Sequence, residues 1–462
     1  DGTDPVACAV VAGFEPGELV AITGLPSTYG VNDIFADDAG CIYLWLPNGT
    51  YTFTANGRSR TVSIQNGVGP TGVTVNGEEV AYAPAGPVEW SFDPATHTLR
   101  LSGAGPFTLA GVNVIGGVCV AVPDNVANKV TLANLTLRTA GSGQCAFALG
   151  TGANVSLSLA GTNVLASGPN RAGLEVAAGR TLFITNAPSD EAGTLFAYGG
   201  NCGAGIGGGK NDTGGTITMA GGAVMATSRS TGSYGGAGIG GGAYATGGDV
   251  MVTGGSLTAT GGNNAPGIGG GATGGGGSLT ISGGTVVATG EGNGAGVGGG
   301  EGQAGGAVTV TGGSLTATGG GSGGAGIGGG AYAAGAGGSL TVSGGQVVAS
   351  GYTGAGIGGG HSGTGGVVVV SGGMIIAQSS GGAGIGGGYR GAGGTCTIKG
   401  GTVFSQSEDG ADIGPGMDGA VAGANTFIGG SIRLGASSVV PAPTDGTDPV
   451  ACAVVAGFEP GE

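Results

Sequence analysis

Residues 279–300 read Leu279-Thr-Ile-Ser282-Gly-Gly-Thr285-Val-Val-Ala-Thr289-Gly-Glu-Gly-Asn-Gly294-Ala-Gly-Val297-Gly-Gly-Gly300. Two short runs of strand formers with alternating apolar residues are separated by a glycine pair, and a third short segment centred on Val297 closes the set. Alternation puts Leu279 and Ile281 on one side of the first run and Thr280 and Ser282 on the other. The closing segment recurs. It is GAGIGGG at 203–209, 236–242, 324–330, 354–360 and 382–388, APGIGGG at 265–271, GAGVGGG at 294–300 and GADIGPG at 410–416. The central residues Ile206, Ile239, Ile268, Val297, Ile327, Ile357, Ile385 and Ile413 are 33, 29, 29, 30, 30, 28 and 28 apart. Three strands with glycine corners every ~30 residues is the rhythm of a three-sided parallel β-helix. Looser coils around Cys119, Cys145 and Leu174 extend it upstream. The reading is a solenoid over 88–435, about eleven or twelve coils, ~55 Å long at ~4.8 Å per coil.

In this scheme the eight central residues form one inward column. Pairs such as Leu279/Ile281, Val308/Val310 and Leu340/Val342 form further aliphatic columns. Outward positions of the motif, such as Gly205 and Gly207, carry no side chain. Two readings stay open for them: tight corner geometry, for which glycine is the default, or a bare face for packing against a neighbour. A second outward face runs through Met225/Thr227, Thr258/Thr260, Val287/Thr289, Thr316/Thr318, Val348/Ser350, Ile376/Gln378 and Phe404/Gln406. Its Thr-x-Thr pairs are too interrupted for an ice-binding ladder, and its apolar content suits lateral packing.

Residues 1–85 differ. Cys41–Pro47 alternates, Asn48-Gly49 signals a turn and Thr50–Thr54 alternates again, which predicts a hairpin. Arg60–Ile64 and Gly72–Val75 supply further strands of a small β-sandwich. The fold class is therefore all-β: a sandwich followed by the solenoid. Residues 436–449, with Pro441-Ala-Pro443, read as a linker. Residues 445–462 repeat 1–18 letter for letter, DGTDPVACAVVAGFEPGE, at an offset of 444. This predicts that 450–462 form the first strand of a following unit, within an excerpt of a longer tandem precursor.

Composition narrows the function. Glycine (120) and proline (18) make up about 30% of 462 residues, yet they are periodic, which argues against disorder. Net charge is −15 without a basic cluster, which disfavours nucleic acid as a partner. No apolar run reaches the ~18–20 residues of a membrane helix. Acids between 200 and 407 are Asp212, Asp249, Glu291 and Glu301, all at loops. They do not form the paired carboxylates of a glycosidase, so no enzyme and no catalytic residue is expected. Glu301 and His361, two coils apart at one loop position, are read as solvated loop residues. No metal or cofactor site is predicted: the Asp of calcium-binding glycine-rich repeats is missing, and GxGxxG strings open no helix. Four Asn-x-Ser/Thr sequons, at Asn48, Asn134, Asn154 and Asn211, are taken as chance. Lys129, Lys210 and Lys399 are the only lysines, so no isopeptide cross-link is available to residues 1–85.

Seven cysteines are present, Cys452 repeating Cys8. Cys8 and Cys41 are expected to bridge within the sandwich, and Cys119 and Cys145, 26 residues apart, are a second candidate pair. Cys202 lies too far from Cys145 for a disulfide, whose Cα atoms sit within ~7 Å. Cys396 aligns with Leu279, Val308 and Leu340 and is expected to be a buried free thiol.

The stretch Asp38–Tyr51 resembles the carboxypeptidase-regulatory-like, prealbumin-like sandwiches that serve as spacers in bacterial surface proteins. The whole arrangement resembles giant tandem-repeat surface or filament proteins of anaerobic bacteria, in which such spacers alternate with glycine-rich right-handed parallel β-helices. The resemblance implies a structural role in an extracellular filament or cell-surface stalk, adhesive in some cases. Partners would be copies of itself, in tandem or end to end, and surface glycans. The alternatives are a carbohydrate-binding β-helix module and, more weakly, a polysaccharide-degrading enzyme.

Overall fold

The computed structural model describes residues 6–25, 34–38, 40–64, 71–82, 89–113, 117–188, 193–332 and 335–435. The expected linker and the expected strand at 450–462 lie outside the described residues.

The N-terminal unit has two antiparallel sheets. Val6–Ala12 pairs with Cys41–Pro47, and Ile34–Phe35, Leu19–Thr23, Gly49–Ala55 and Arg58–Ile64 form the other sheet in that order. Val11, Phe14, Val20, Ile42, Leu46, Tyr51, Phe53, Val62 and Ile64 meet in its core. The predicted hairpin is corrected here. Cys41–Pro47 and Gly49–Ala55 belong to different sheets, so Asn48-Gly49 carries the chain across the sandwich. The hairpin turn is Asn56-Gly57, between paired Ala55 and Arg58, with φ of 46° and 78°. Positive φ at both central residues is the condition a two-residue primed turn imposes, and Asn-Gly meets it. Asn56 Nδ2 and Arg58 Nη2 both donate to Glu18, at 2.6 and 2.7 Å. The Glu15 N–H and the Arg58 guanidinium hold that carboxyl below its ordinary range.

The solenoid has about eleven turns and three sides. Its first sheet runs through Thr98–Leu101, Cys119–Val122, Phe147–Leu149 and Leu174–Glu175, then through the eight short segments from Ile206–Gly207 to Ile413–Gly414. The second and third sheets are parallel ladders that share one long strand. Residues Ala127–Ala133 of strand Ala127–Arg138 pair with Asn154–Ala160, and residues Thr136–Arg138 pair with Val164–Ala166. Asn134, at φ 55°, turns the corner between them; asparagine tolerates this left-handed conformation better than other side chains. From Ile217 onward the inward positions repeat with little change. Leu279, Val308, Leu340, Val368 and Cys396 stack, as do Leu257, Val286, Leu315, Val347, Ile375 and Val403. All are buried. At about 1.5–3 kcal/mol for each fully buried aliphatic side chain, these columns are a large part of what holds the coils together, beside the backbone ladders between them.

The boundary between the two units also needs correction. Val73–Val75, assigned from sequence to the sandwich, pairs antiparallel with Phe107–Asn113, Leu109 facing Val75. Val73, Val75, Val80 and Trp90 belong to the solenoid core. The segment is a lid on the first coil, and Trp90–Asp93, antiparallel to Thr98–Leu101, closes the adjoining side. The division therefore falls between Ile64 and Thr71, not at 85. At the other end Phe427, Ile432 and Leu434 are only half-buried, and Ile428 is 63% exposed.

Candidate functional site

Four regions were candidates for function: the glycine side, the Thr/Val side, the ionisable groups and the loops. Ile206, Ile239, Ile268, Val297, Ile327, Ile357, Ile385 and Ile413 pair in unbroken succession and are buried. The residue after each is a glycine, from Gly207 to Gly414, with φ between 130° and 151°. Only glycine enters that region readily. A Cβ added to Gly328 would lie 1.9 Å from the Gly358 carbonyl oxygen of the next coil. A Cβ on Gly205 would meet Thr227 N at 2.4 Å. Every residue of the motif is buried in the seven copies from 203 to 388. Of the two readings open for this side, close internal packing is the one the geometry supports, and no bare glycine face meets solvent in these copies.

On the third sheet Met225, Thr258, Val287, Thr316, Val348, Ile376 and Phe404 stack in one outward, half-buried column. Beside it run Thr227, Thr260, Thr289, Thr318, Ser350, Gln378 and Gln406. This side is regular, uncharged and mixed in character.

Among the described residues of the solenoid, ionisable groups converge around a buried carboxylate at Glu175. It pairs with Ala148 on one side and Gly207 on the other, so it occupies the position that is glycine in later coils. Its Oε1 accepts from Arg171 Nη2 at 2.7 Å, and its Oε2 is buried without a hydrogen-bond partner. A Cβ on Gly209 would lie 3.2 Å from Glu175 Oε2 and 3.3 Å from Asp212 Oδ2, so two carboxylates flank that glycine. Burial raises the Glu175 pKa above its ordinary value, Arg171 and Arg180 opposing. The Glu175 side chain is only 5% exposed, which leaves no access for a glycosidic bond. The arrangement is a buried carboxylate paired with a partly exposed Arg171, at the position that later coils give to glycine. A search for acids restricted to 200–407 misses it; aligning Leu174-Glu175 with Ile206-Gly207 reveals it. Among the described residues no group of three metal-ligating side chains is found.

The loops after the glycine motif and after the third-sheet strands lie side by side along one edge. Backbone bonds stitch them: Glu301 N donates to Asn264 O (3.1 Å), His361 N to Gly323 O (2.8 Å) and Tyr389 N to Thr353 O (2.8 Å). Glu301 and His361 do occupy one loop position, but His361 is not a solitary solvated residue. Its ring lies 6.1 Å from that of Tyr332 and 5.2 Å from that of Tyr389. Arg390 sits 5.0 Å from the Tyr389 centroid, and the Tyr389 hydroxyl donates to Asp418 Oδ2 at 3.1 Å. Further up, Tyr234 and Tyr244 are 5.2 Å apart, with Lys210 Nζ 5.8 Å from the Tyr244 ring.

The cysteine pairings are corrected. Cys8 stands opposite Trp45 and Cys41 opposite Ala12, four rungs apart on the ladder. That is ~13 Å along a strand, beyond the ~7 Å limit for bridged Cα atoms. Cys119 and Cys145 are both free thiols. Val120 registers with Phe147, so Cys119 stands beside Ala146, and Cys145 turns inward to donate to Phe147 O and Ala172 O at 3.2 and 3.3 Å. Cys202 is a free thiol whose Sγ donates to Tyr234 O at 3.4 Å. Cys396 is a buried free thiol next to Val368, and burial pushes it up to about 12.

A family model for a beta helix repeat matches residues 279–301, 308–331, 340–361 and 368–389, one coil each. No curated protein and no solved structure matches the chain. The matched residues lie within the solenoid, whose parallel coils are those of a β-helix.

Proposed function

We propose that the chain is a non-catalytic structural module of an extracellular filament or cell-surface stalk, built from 444-residue units in tandem. The observation that carries this reading is the verbatim return of residues 1–18 at 445–462. Eighteen identities at that distance indicate a duplicated unit rather than a shared structural pattern. A rod whose coils each bury the edge of the last supports the mechanical part of the reading. In this proposal the sandwich is a prealbumin-like spacer between rods, and the partners are further copies of the unit. The uncharged Thr/Val side, repeated along the rod, would give weak lateral contacts that gain by repetition.

The test is the mass of the native material under denaturing conditions, with electron microscopy beside it. A polypeptide many times 42.6 kDa and fibres with a regular axial repeat are the expected results. Isolated single units with turnover of a glycan would overturn the reading.

A further inference from the structure

Of the six tyrosines beyond residue 100, five lie on the loop edge: Tyr234, Tyr244, Tyr332, Tyr352 and Tyr389. Tyr198 alone lies on a sheet, stacked on Phe196 with Arg229 over its ring. The five add little to the core: Tyr244, Tyr332 and Tyr352 are 46%, 51% and 60% exposed. Two of them also occupy an unfavourable backbone conformation. Tyr244 has φ 70° and Tyr332 φ 81°. The same loop position, at positive φ, holds Asn211, Gly302, Ser362, Arg390 and Asp418 in other coils, and the N–H groups of Asn211, Gly302, Tyr332, Ser362 and Arg390 donate there to the next coil. Asparagine or glycine is relaxed there; a bulky ring is an outlier. The turn imposes this conformation in coil after coil, but a bulky ring bears more strain there than asparagine or glycine and gains no burial, and such strain gathers at ligand clamps.

We propose that this edge binds an extended, neutral polysaccharide chain. The rings form two groups on one edge, Tyr234 with Tyr244 and Tyr332 with His361 and Tyr389, so the ligand is expected to be long enough to reach both. Their coils are three steps apart, ~14 Å at ~4.8 Å per coil, a span of about three sugar rings. Tyrosine and histidine rings offer apolar surface to the C–H faces of pyranose rings. The hydroxyl tips, Arg390 and Asp418 supply donors and acceptors for sugar hydroxyls, in the mixture that ligand sites use. The chain's net charge of −15 disfavours polyanions, so nucleic acid and acidic glycans rank below neutral ones. This inference does not rest on the tandem reading: a single unit would bind whether or not units are linked.

The experiment is native electrophoresis of the full chain through gels containing one neutral polysaccharide each: a β-glucan, a xylan, a glucomannan and a starch-type α-glucan, with polygalacturonate as the anionic comparison. At least one neutral gel is expected to retard the protein. Tyr244→Gly with Tyr332→Gly should weaken that retardation at least tenfold while leaving the melting temperature equal or higher, because glycine relieves the backbone. A purely structural role for the rings predicts the reverse, a lower melting temperature with binding unchanged. Tyr352→Ser, in a loop held by its own main chain, gives a second variant with no folding penalty expected. No retardation in any neutral gel, retardation by polygalacturonate alone, or retardation unaffected by these variants would overturn the proposal.

Discussion

Alanine at Gly328 tests the physical basis of the repeat. Two costs add there. Gly328 has φ +138°, and holding a side chain in that region costs about 1–3 kcal/mol. The new Cβ would also lie 1.9 Å from the Gly358 carbonyl oxygen, so one backbone must move. That oxygen accepts from Gly329 N at 3.0 Å, and losing a bond of this kind costs about 1 kcal/mol. Together the expected destabilisation is about 3–5 kcal/mol, including the overpacking strain typical of tight interiors. Two controls separate the terms. Gly302 has φ +69° and nothing within 4 Å of an added Cβ, so Gly302→Ala bears conformational strain alone, about 1 kcal/mol. Gly321 also has open space and no positive φ, and Gly321→Ala should be neutral within about 0.5 kcal/mol. Coils interact with their nearest neighbours, so hydrogen exchange should accelerate chiefly in the coils of Val297, Ile327 and Ile357. The assay is urea unfolding with native-state exchange on the three variants. If Gly328→Ala matches Gly321→Ala in both, glycine is not required by the stacking.

Three further outcomes are expected. Ile327→Asp places a carboxylate in the apolar column, which should cost several kcal/mol and lower the melting temperature clearly; an unchanged midpoint would mean the column tolerates charge. In alkylation at pH 8, Cys396 and Cys145, both pushed up to about 12 by burial, should react only after unfolding, with Cys202 labelled earlier; native labelling of Cys396 at the rate of Cys202 would contradict its burial. For Glu175 the folded pKa is raised, so the folded chain holds that proton more tightly than the unfolded chain. Its contribution is fully present below the unfolded value of 4.5 and is lost as pH rises through the folded pKa. Melting of wild type and Glu175→Gln across that range should show the wild type losing stability relative to the variant as pH rises; the opposite slope would show that the Arg171 pairing outweighs burial.

The rod was legible because its signal is local and repeated. Isoleucine before glycine every ~30 residues, with period-two alternation between, admits few other arrangements. The outward register of Thr258 through Phe404 was readable for the same reason. What alternation lacks is an address. Val73 and Val75 read identically whether they face the sandwich or the first coil, and only the pairing with Leu109 decides. Asn48-Gly49 and Asn56-Gly57 carry the same turn chemistry, yet one changes sheet and the other closes a hairpin. Glu175 was hidden because its coil lacks the glycine motif that marks the others. The tyrosine edge was hidden because its loops differ in length, so only backbone hydrogen bonds show which residues are neighbours.

The unlike ends of the solenoid bear on how it is made. The sealed end, with Val73–Val75 laid across Phe107–Asn113, precedes the coils in the chain and leaves the ribosome first. Each later coil then emerges beside a finished edge of unpaired N–H and C=O groups and needs only to lie down on it. Contacts form between residues about thirty apart rather than hundreds, which keeps loop closure inexpensive at every step. Folding can thus proceed in one direction, in time with translation, from the lid at Val73–Val75 toward the coil of Phe427, Ile432 and Leu434.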